Sequence, residues 1–99
     1  MIHGLAHITG GGLVDNLPRV LPENCDALIE TNSWPVPPIF DFLERNGRIE
    51  RTEMFQVFNM GIGMVAIVSE NDSATASRML KAKRIGTIVN GKGKTRLVL

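Results

Sequence analysis

The 99-residue chain is long enough for one domain, or a piece of one, and is read as a single unit over 1–99. Hydrophobic residues make up 43% of it and charged ones 21%, the balance of an ordinary globular protein with a modest core. A net charge of +1 supplies no long-range field of one sign, which argues against nucleic acid and anionic membrane surfaces as partners.

Cys25 is the only cysteine, so an intrachain disulfide framework and a thiolate zinc cluster are both excluded, and a reducing, cytoplasmic setting fits best. No apolar run approaches the roughly 20 residues of a membrane span, and the N-terminus lacks a signal peptide's apolar segment. The sequence enters patterned apolar residues at once, as Met1-Ile2-His3-Gly4-Leu5. Natural full-length proteins more often begin with a frayed polar end, so Met1 is expected to be a start placed before an excised domain.

Ile2 to Thr9 is apolar on both parities and reads as a buried strand. After Gly10-Gly11-Gly12, the stretch Leu13–Leu21 is helical and stops at Pro22; Pro18 inside it favours two short pieces over one helix. Cys25–Glu30 has strand character. Trp34-Pro35-Val36-Pro37-Pro38 is a rigid loop that opens a helix over Ile39–Asn46, with Gly47 as its C-terminal cap and Ile39, Phe40 and Leu43 turned toward a sheet. A shorter helix spans Arg51–Phe58, capped by Thr52 and closed by Asn59, which tolerates left-handed backbone.

Gly61–Ser69 reads as a strand central in its sheet. Asp72 or Ser73 caps a helix to about Lys81, followed by the basic run Lys81, Lys83, Arg84, a solvated helix end. Ile85–Val89 and Thr95–Leu99 are strands that the turn Asn90-Gly91-Lys92-Gly93 joins as a hairpin. Strands and helices interleave, so the fold class is α/β or α+β, a mixed β-sheet with packed helices.

The strongest candidate for chemistry is Thr9-Gly10-Gly11-Gly12, between an apolar strand and a helical start. Successive glycines let backbone N–H groups converge on an anion, and the following helix start adds free donors. The same residues suit a plain tight turn that needs positive φ, and spacing alone leaves the two readings open. Asn16 and Arg19, one and two helical turns on, are placed to hydrogen-bond and charge-pair a ligand seated there, although a solvated Arg19 is the commoner case.

Gly61-Ile62-Gly63-Met64-Val65-Ala66 formally matches a dinucleotide-binding pattern, but its glycines enter a strand instead of leaving one for a helix, and it is rejected as a nucleotide site. His3 and His7 are four apart on a strand with no third ligand, so no metal site is expected. His7, two residues before the glycine turn, is a candidate general base; His3 is read as structural. The carboxylates Glu50, Glu53, Glu70 and Asp72 are scattered near helix ends. No Walker-type lysine loop, nucleophile–base pair or paired magnesium carboxylates appear.

Ala6-His7-Ile8-Thr9-Gly10-Gly11-Gly12-Leu13, continuing through Asn16-Leu17-Pro18-Arg19-Val20-Leu21-Pro22, resembles the stretch that opens the C-terminal half of the aminoimidazole ribonucleotide synthetase family. Ser33-Trp34-Pro35 with Pro38, Ile39 and Phe40 is similar too, as is Glu53-Met54-Phe55 running into Phe58-Asn59-Met60-Gly61-Ile62-Gly63-Met64. Ile85-Gly86 is a weaker fourth match. The resemblance spans nearly the whole chain and implies the fold of that family's C-terminal domain.

The family resemblance implies a ligase of purine biosynthesis. ATP phosphorylates the amide oxygen of formylglycinamidine ribonucleotide, an amine nitrogen of the same molecule attacks, and phosphate leaves as the imidazole closes. It further implies a homodimer formed through an N-terminal half that holds most of the ATP and Mg2+ ligands, with the active cleft between the halves and no cofactor held by this part alone. On this basis Thr9 and Gly10–Gly12 are expected to bind a phosphate, most simply the substrate's ribose 5′-phosphate. His7 and Asn16 border the cleft, and Asn59 and Gly61 shape its wall.

The sequence departs from the family in one place: the connection between the Ser73–Leu80 helix and Ile85 is several residues shorter than usual. Other members of the superfamily, such as formylglycinamidine ribonucleotide synthetase, selenide kinase, thiamine phosphate kinase or a hydrogenase maturation protein, share the fold. The Trp34 loop and Phe58-Asn59-Met60-Gly61 favour the cyclo-ligase over these. A stand-alone anion-binding module is the rival from a different class. Without the other half, uncovered apolar surface is expected to drive self-association.

Overall fold

The computed structural model describes residues 2–99. Strand β1 (Ile2–His7) pairs antiparallel with β3 (Met64–Val68), with Ala6 opposite Val65 and His7 opposite Met64. The ladder runs on beyond β1, where the Ile8 amide donates to the Gly63 carbonyl at 2.9 Å. A second sheet places β2 (Cys25–Glu30) between β4 (Gly86–Asn90) and β5 (Thr95–Val98), antiparallel to the first and parallel to the second. With a mixed sheet and packed helices, the class is as expected.

Two strand expectations need correction. The Asn90–Gly93 turn does not close a hairpin, because β4 and β5 do not pair with each other but flank β2. Leu28 and Ile29 thus gain a neighbour on either side, which a hairpin would deny them. β3 is not central: among the described residues it pairs with β1 alone. Nor is β1 buried on both faces. Ala6 and Ile8 point into the core, whereas Leu5 is 54% exposed on the opposite face, with His7 and Thr9 on its parity.

After the glycine turn the chain does form two short helical pieces, α1 (Gly12–Asn16) and a 3₁₀ turn over Leu17–Val20 that seats Pro18 in its first turn. Helix α2 (Pro38–Gly47) ends one residue later than expected, on Arg48 in left-handed conformation (φ 52°). It packs through Phe40 on Phe58, ring centroids 5.8 Å apart, rather than on a sheet. Helix α3 (Arg51–Val57) starts from Glu50 without the Thr52 cap. The left-handed residues after α3 are Met60 (φ 54°) and Gly61 (φ 93°), not Asn59. Helix α4 (Ser73–Leu80) follows a 3₁₀ turn over Glu70–Asp72, and Asp72 at its N-cap position makes no side-chain cap bond. None of the described helices is long and apolar enough to cross a membrane.

The core gathers where α1 and α3 meet. Leu13, Leu17, Met54 and Phe55 are fully buried there, each worth about 1.5–3 kcal/mol of removed apolar surface. Trp34 stands edge-on to Phe55 (centroids 6.1 Å, interplanar 89°) and donates its indole N–H to the Met60 carbonyl at 3.0 Å. That bond satisfies the polar tip of a side chain only 7% exposed. The Trp34 loop, α3 and the turn at Met60–Gly61 are thereby fixed to one another, under the glycine turn.

Candidate functional site

The glycine turn leaves β1 at Ile8 and reverses through Gly11 (φ 97°) and Gly12 (φ 61°), left-handed conformations that favour glycine. The Gly12 amide bonds the Thr9 carbonyl at 3.0 Å, and the Asp15 amide bonds Gly11 at 3.2 Å. A side chain at Gly12 would overlap the carbonyl oxygens of Phe55 and Phe58, so this residue is pressed onto the end of α3. At Gly11 the space is taken by the Asp15 side chain, whose Oδ2 lies 2.8 Å from an added Cβ. Of the three glycines in the turn, Gly10 has nothing within 4 Å of that position. The turn is thus open on one side only.

Asn16 is the internal brace of this turn. It is 3% exposed, and its side-chain amide donates to the carbonyls of Gly12 (2.8 Å), Thr9 (3.3 Å) and Gly10 (3.3 Å). Its Oδ1 accepts the Thr9 hydroxyl at 3.2 Å. With three carbonyls drawn inward to one buried amide, the amides of Gly10 and Gly11 donate to no backbone carbonyl among the described residues. Those are the donors that an anion would meet.

The other residues expected at the site sit on the end of β1, the 3₁₀ turn and the segment after α3. Thr9, Gly10 and His7 are exposed at the end of β1, and Arg19 is exposed on the following 3₁₀ turn. Asn59 and Gly61 follow Phe58, whose carbonyl Gly12 approaches, and their segment is joined to the strand end by the Ile8–Gly63 bond. The Asn59 side chain accepts the Gly61 amide at 2.8 Å, which holds the turn there, and a Cβ at Gly61 would meet the Pro37 ring. Among the described residues no three of His, Cys, Asp and Glu converge as a metal site.

Sequence reasoning missed Asp15 and the Phe55 and Phe58 carbonyls. Asp15 was legible in hindsight: four residues beyond Gly11 on a helix, it returns over the turn. The carbonyls were not legible, because main-chain atoms of a distant helix leave no local signature.

The model of AIR synthase related proteins, C-terminal domain, matches residues 1–98. Phosphoribosylformylglycinamidine cyclo-ligases of Bacillus pumilus (strain SAFR-032), Bacillus cereus (strain AH187) and Bacillus thuringiensis (strain Al Hakam) are each 48% identical to the chain, over 95% of its length and 29% of theirs. The chain therefore spans less than a third of the curated relatives it matches. The glycine turn, the Trp34 loop and the Phe58–Gly63 segment, which carried the resemblance, are joined by contacts in the structure. By the match over residues 1–98, the chain belongs to the family of AIR synthase related proteins, as its C-terminal domain.

Proposed function

We propose that the chain is the C-terminal part of a cytoplasmic phosphoribosylformylglycinamidine cyclo-ligase, and that its glycine turn receives the 5′-phosphate of formylglycinamidine ribonucleotide from the Gly10 side. The observation that carries this is the inward draw of three carbonyls by Asn16, which leaves the Gly10 and Gly11 amides without backbone acceptors beside open space. Thr9, Gly10, Gly11 and Gly12 make the cradle in this reading. Asn16 sets its shape, Arg19 supplies a cation at its rim, and Asn59 with Gly61 bounds it. His7, at the exposed end of β1, takes the proton from the amine that closes the ring. ATP and Mg2+ are assigned to polypeptide outside these 99 residues, as is the homodimer contact.

One observation favours a second reading, a tight turn with no ligand: the Asp15 carboxylate lies against Gly11 and repels an anion from that side. Amide chemical shifts decide between the two. Titration of the chain with inorganic phosphate and with ribose 5-phosphate is expected to move Gly10, Gly11 and Leu13. Movement confined to residues away from Gly10–Gly12 would overturn the phosphate site. The chain alone is expected not to turn over ATP, and measurable cyclisation by it would refute the division of ligands proposed here.

A further inference from the structure

Two Asn-Gly pairs stand in the sequence, Asn46-Gly47 and Asn90-Gly91. Such a pair rearranges without an enzyme where the chain is free to move, because glycine has no side chain to keep its backbone nitrogen from the asparagine side chain. The nitrogen must lose its proton and reach the asparagine Cγ, so a hydrogen-bonded glycine amide in a rigid segment is held back. By sequence the two pairs are alike. The fold treats them differently.

Asn90 ends β4, where it pairs with Cys25 of β2, and the Gly91 amide donates to the Asn24 carbonyl at 2.9 Å. An added Cβ at Gly91 would overlap the Asp26 carboxylate, so a negative charge stands against the residue whose amide would have to ionise. That carboxylate also accepts the amides of Lys92 and Lys94, which ties down the rest of the turn. Freeing Gly91 therefore means parting β4 from the central strand, whose Ala27 and Ile29 are buried, an opening close to global unfolding.

Asn46 and Gly47 close α2, a helix with no fully buried residue, and both are exposed. The Asn46 Nδ2 donates to the Phe42 carbonyl at 2.8 Å, a surface bond that water replaces when the last turn frays. Arg48 follows in left-handed conformation (φ 52°), and no carboxylate pairs with it among the described residues. Its charge favours an ionised amide at Gly47, whereas Asp26 disfavours one at Gly91.

We propose that Asn46-Gly47 is a site of spontaneous deamidation in the folded protein, and that the fold holds Asn90-Gly91 inert. Solvent base takes the Gly47 amide proton, and the nitrogen forms a bond to the Asn46 Cγ. The Cγ–Nδ2 bond breaks and ammonia leaves with a proton from water, giving a five-membered imide. Water then opens the ring. Attack at Cγ restores the ordinary peptide link with an aspartate side chain; attack at the main-chain carbonyl carbon leaves an isoaspartate, linked through Cγ. Either product takes one unit from the net charge of +1 and sets a carboxylate at a helix C-terminus, where the dipole disfavours it. Isoaspartate also lengthens the main chain between Glu44 and Arg51, whose side chains pair at 3.2 Å across the α2–α3 connection.

Peptide mapping of the 99-residue chain, held at mildly alkaline pH with and without urea, tests the assignment. Glutamyl endopeptidase releases Arg45–Glu50 and trypsin releases Ile85–Lys92, with one asparagine in each. In the folded chain Asn46 converts about 10-fold or more faster than Asn90, and in urea the two rates come within about threefold of each other. Methyl transfer by a protein isoaspartyl methyltransferase reads the isoaspartate directly, and Asn46→Gln lowers it about 10-fold in the folded chain, since the longer side chain closes the ring poorly. Asn90 converting as fast as Asn46 in the folded chain overturns the proposal. So does a gap of about tenfold that persists in urea, because the sequence and not the fold would then make the choice. An Asn46 that stays intact while the urea sample reacts, or methyl acceptance that survives Asn46→Gln, overturns it as well.

Discussion

Gly12 rests on the carbonyl of Phe55, leaving no room for even one methyl group between the glycine turn and the end of α3. The contact joins residues 43 positions apart through main-chain atoms, and it sets the turn against the Phe58 carbonyl as well.

It predicts opposite outcomes at neighbouring glycines. Gly12→Ala combines a φ of 61° with overlap onto two backbone carbonyls, and is expected to cost about 3 kcal/mol or more, read as a lowered urea midpoint. Gly10→Ala meets nothing within 4 Å and is expected to change stability by less than about 0.5 kcal/mol. If phosphate docks from the Gly10 side, the same alanine weakens its binding without loosening the fold. Equal destabilisation by both alanines would contradict the packing described.

Asn16 predicts a large effect from a nearly isosteric change. Its amide meets three carbonyls in a buried position, so Asn16→Asp replaces two donors with an acceptor-only group facing those oxygens. The expected loss is about 3 kcal/mol or more, and Asn16→Ala is expected to lose about 2 kcal/mol by stranding the carbonyls. Thermal melting of the two variants checks the order; an Asp variant as stable as the parent would remove the brace from the account.

These cases show where the sequence was legible and where it was not. Glycine and proline positions marked the turn at 9–12 and the break at Pro18, because backbone restrictions are local. The pairing of β4 and β5 was misread for a related reason: Asn90-Gly91 carries a hairpin signal, but the choice of partner rests on Ala27 and Ile29 filling the centre of the sheet. The exposure of Leu5 and Met64 was equally hidden, since a strand apolar on both parities reads as covered on both faces. For the candidate site, the glycine turn was legible as a turn and the bracing by Asn16 was not. Its spacing from Gly12 suits a ligand contact and an internal brace alike, and only burial separates them.

The indole of Trp34 offers an internal probe. Trp34→Phe keeps much of the ring packing on Phe55 and deletes the bond to the Met60 carbonyl, at an expected cost of about 1–2 kcal/mol. Because Trp34 is the only tryptophan and is buried, its emission reports unfolding of this layer in the parent protein. Loss of that signal before the global transition would show that the Trp34 loop detaches independently.

Asp26 predicts how the fold fails in acid. The backbone amides of Lys94 and Lys92 donate to its carboxylate, each at 2.8 Å, and the Arg96 guanidinium lies 3.1 Å away. Chiefly the Lys94 and Lys92 bonds, with the Arg96 charge adding to them against the effect of burial, hold its pKa below the ordinary 3.8. A carboxyl group with a depressed folded-state pKa contributes stability in full above its unfolded value. That contribution shrinks as pH falls below 3.8 and is gone once pH passes the folded value. Asp26→Asn keeps one oxygen acceptor for the turn but loses the charge, so the variant should be less stable than the parent at neutral pH and converge with it in acid. Denaturant midpoints measured from pH 7 down to pH 2 check this. A gap between the two proteins that does not narrow below pH 4 would mean that the charge on Asp26 is not what ties the Gly91–Gly93 turn to β2.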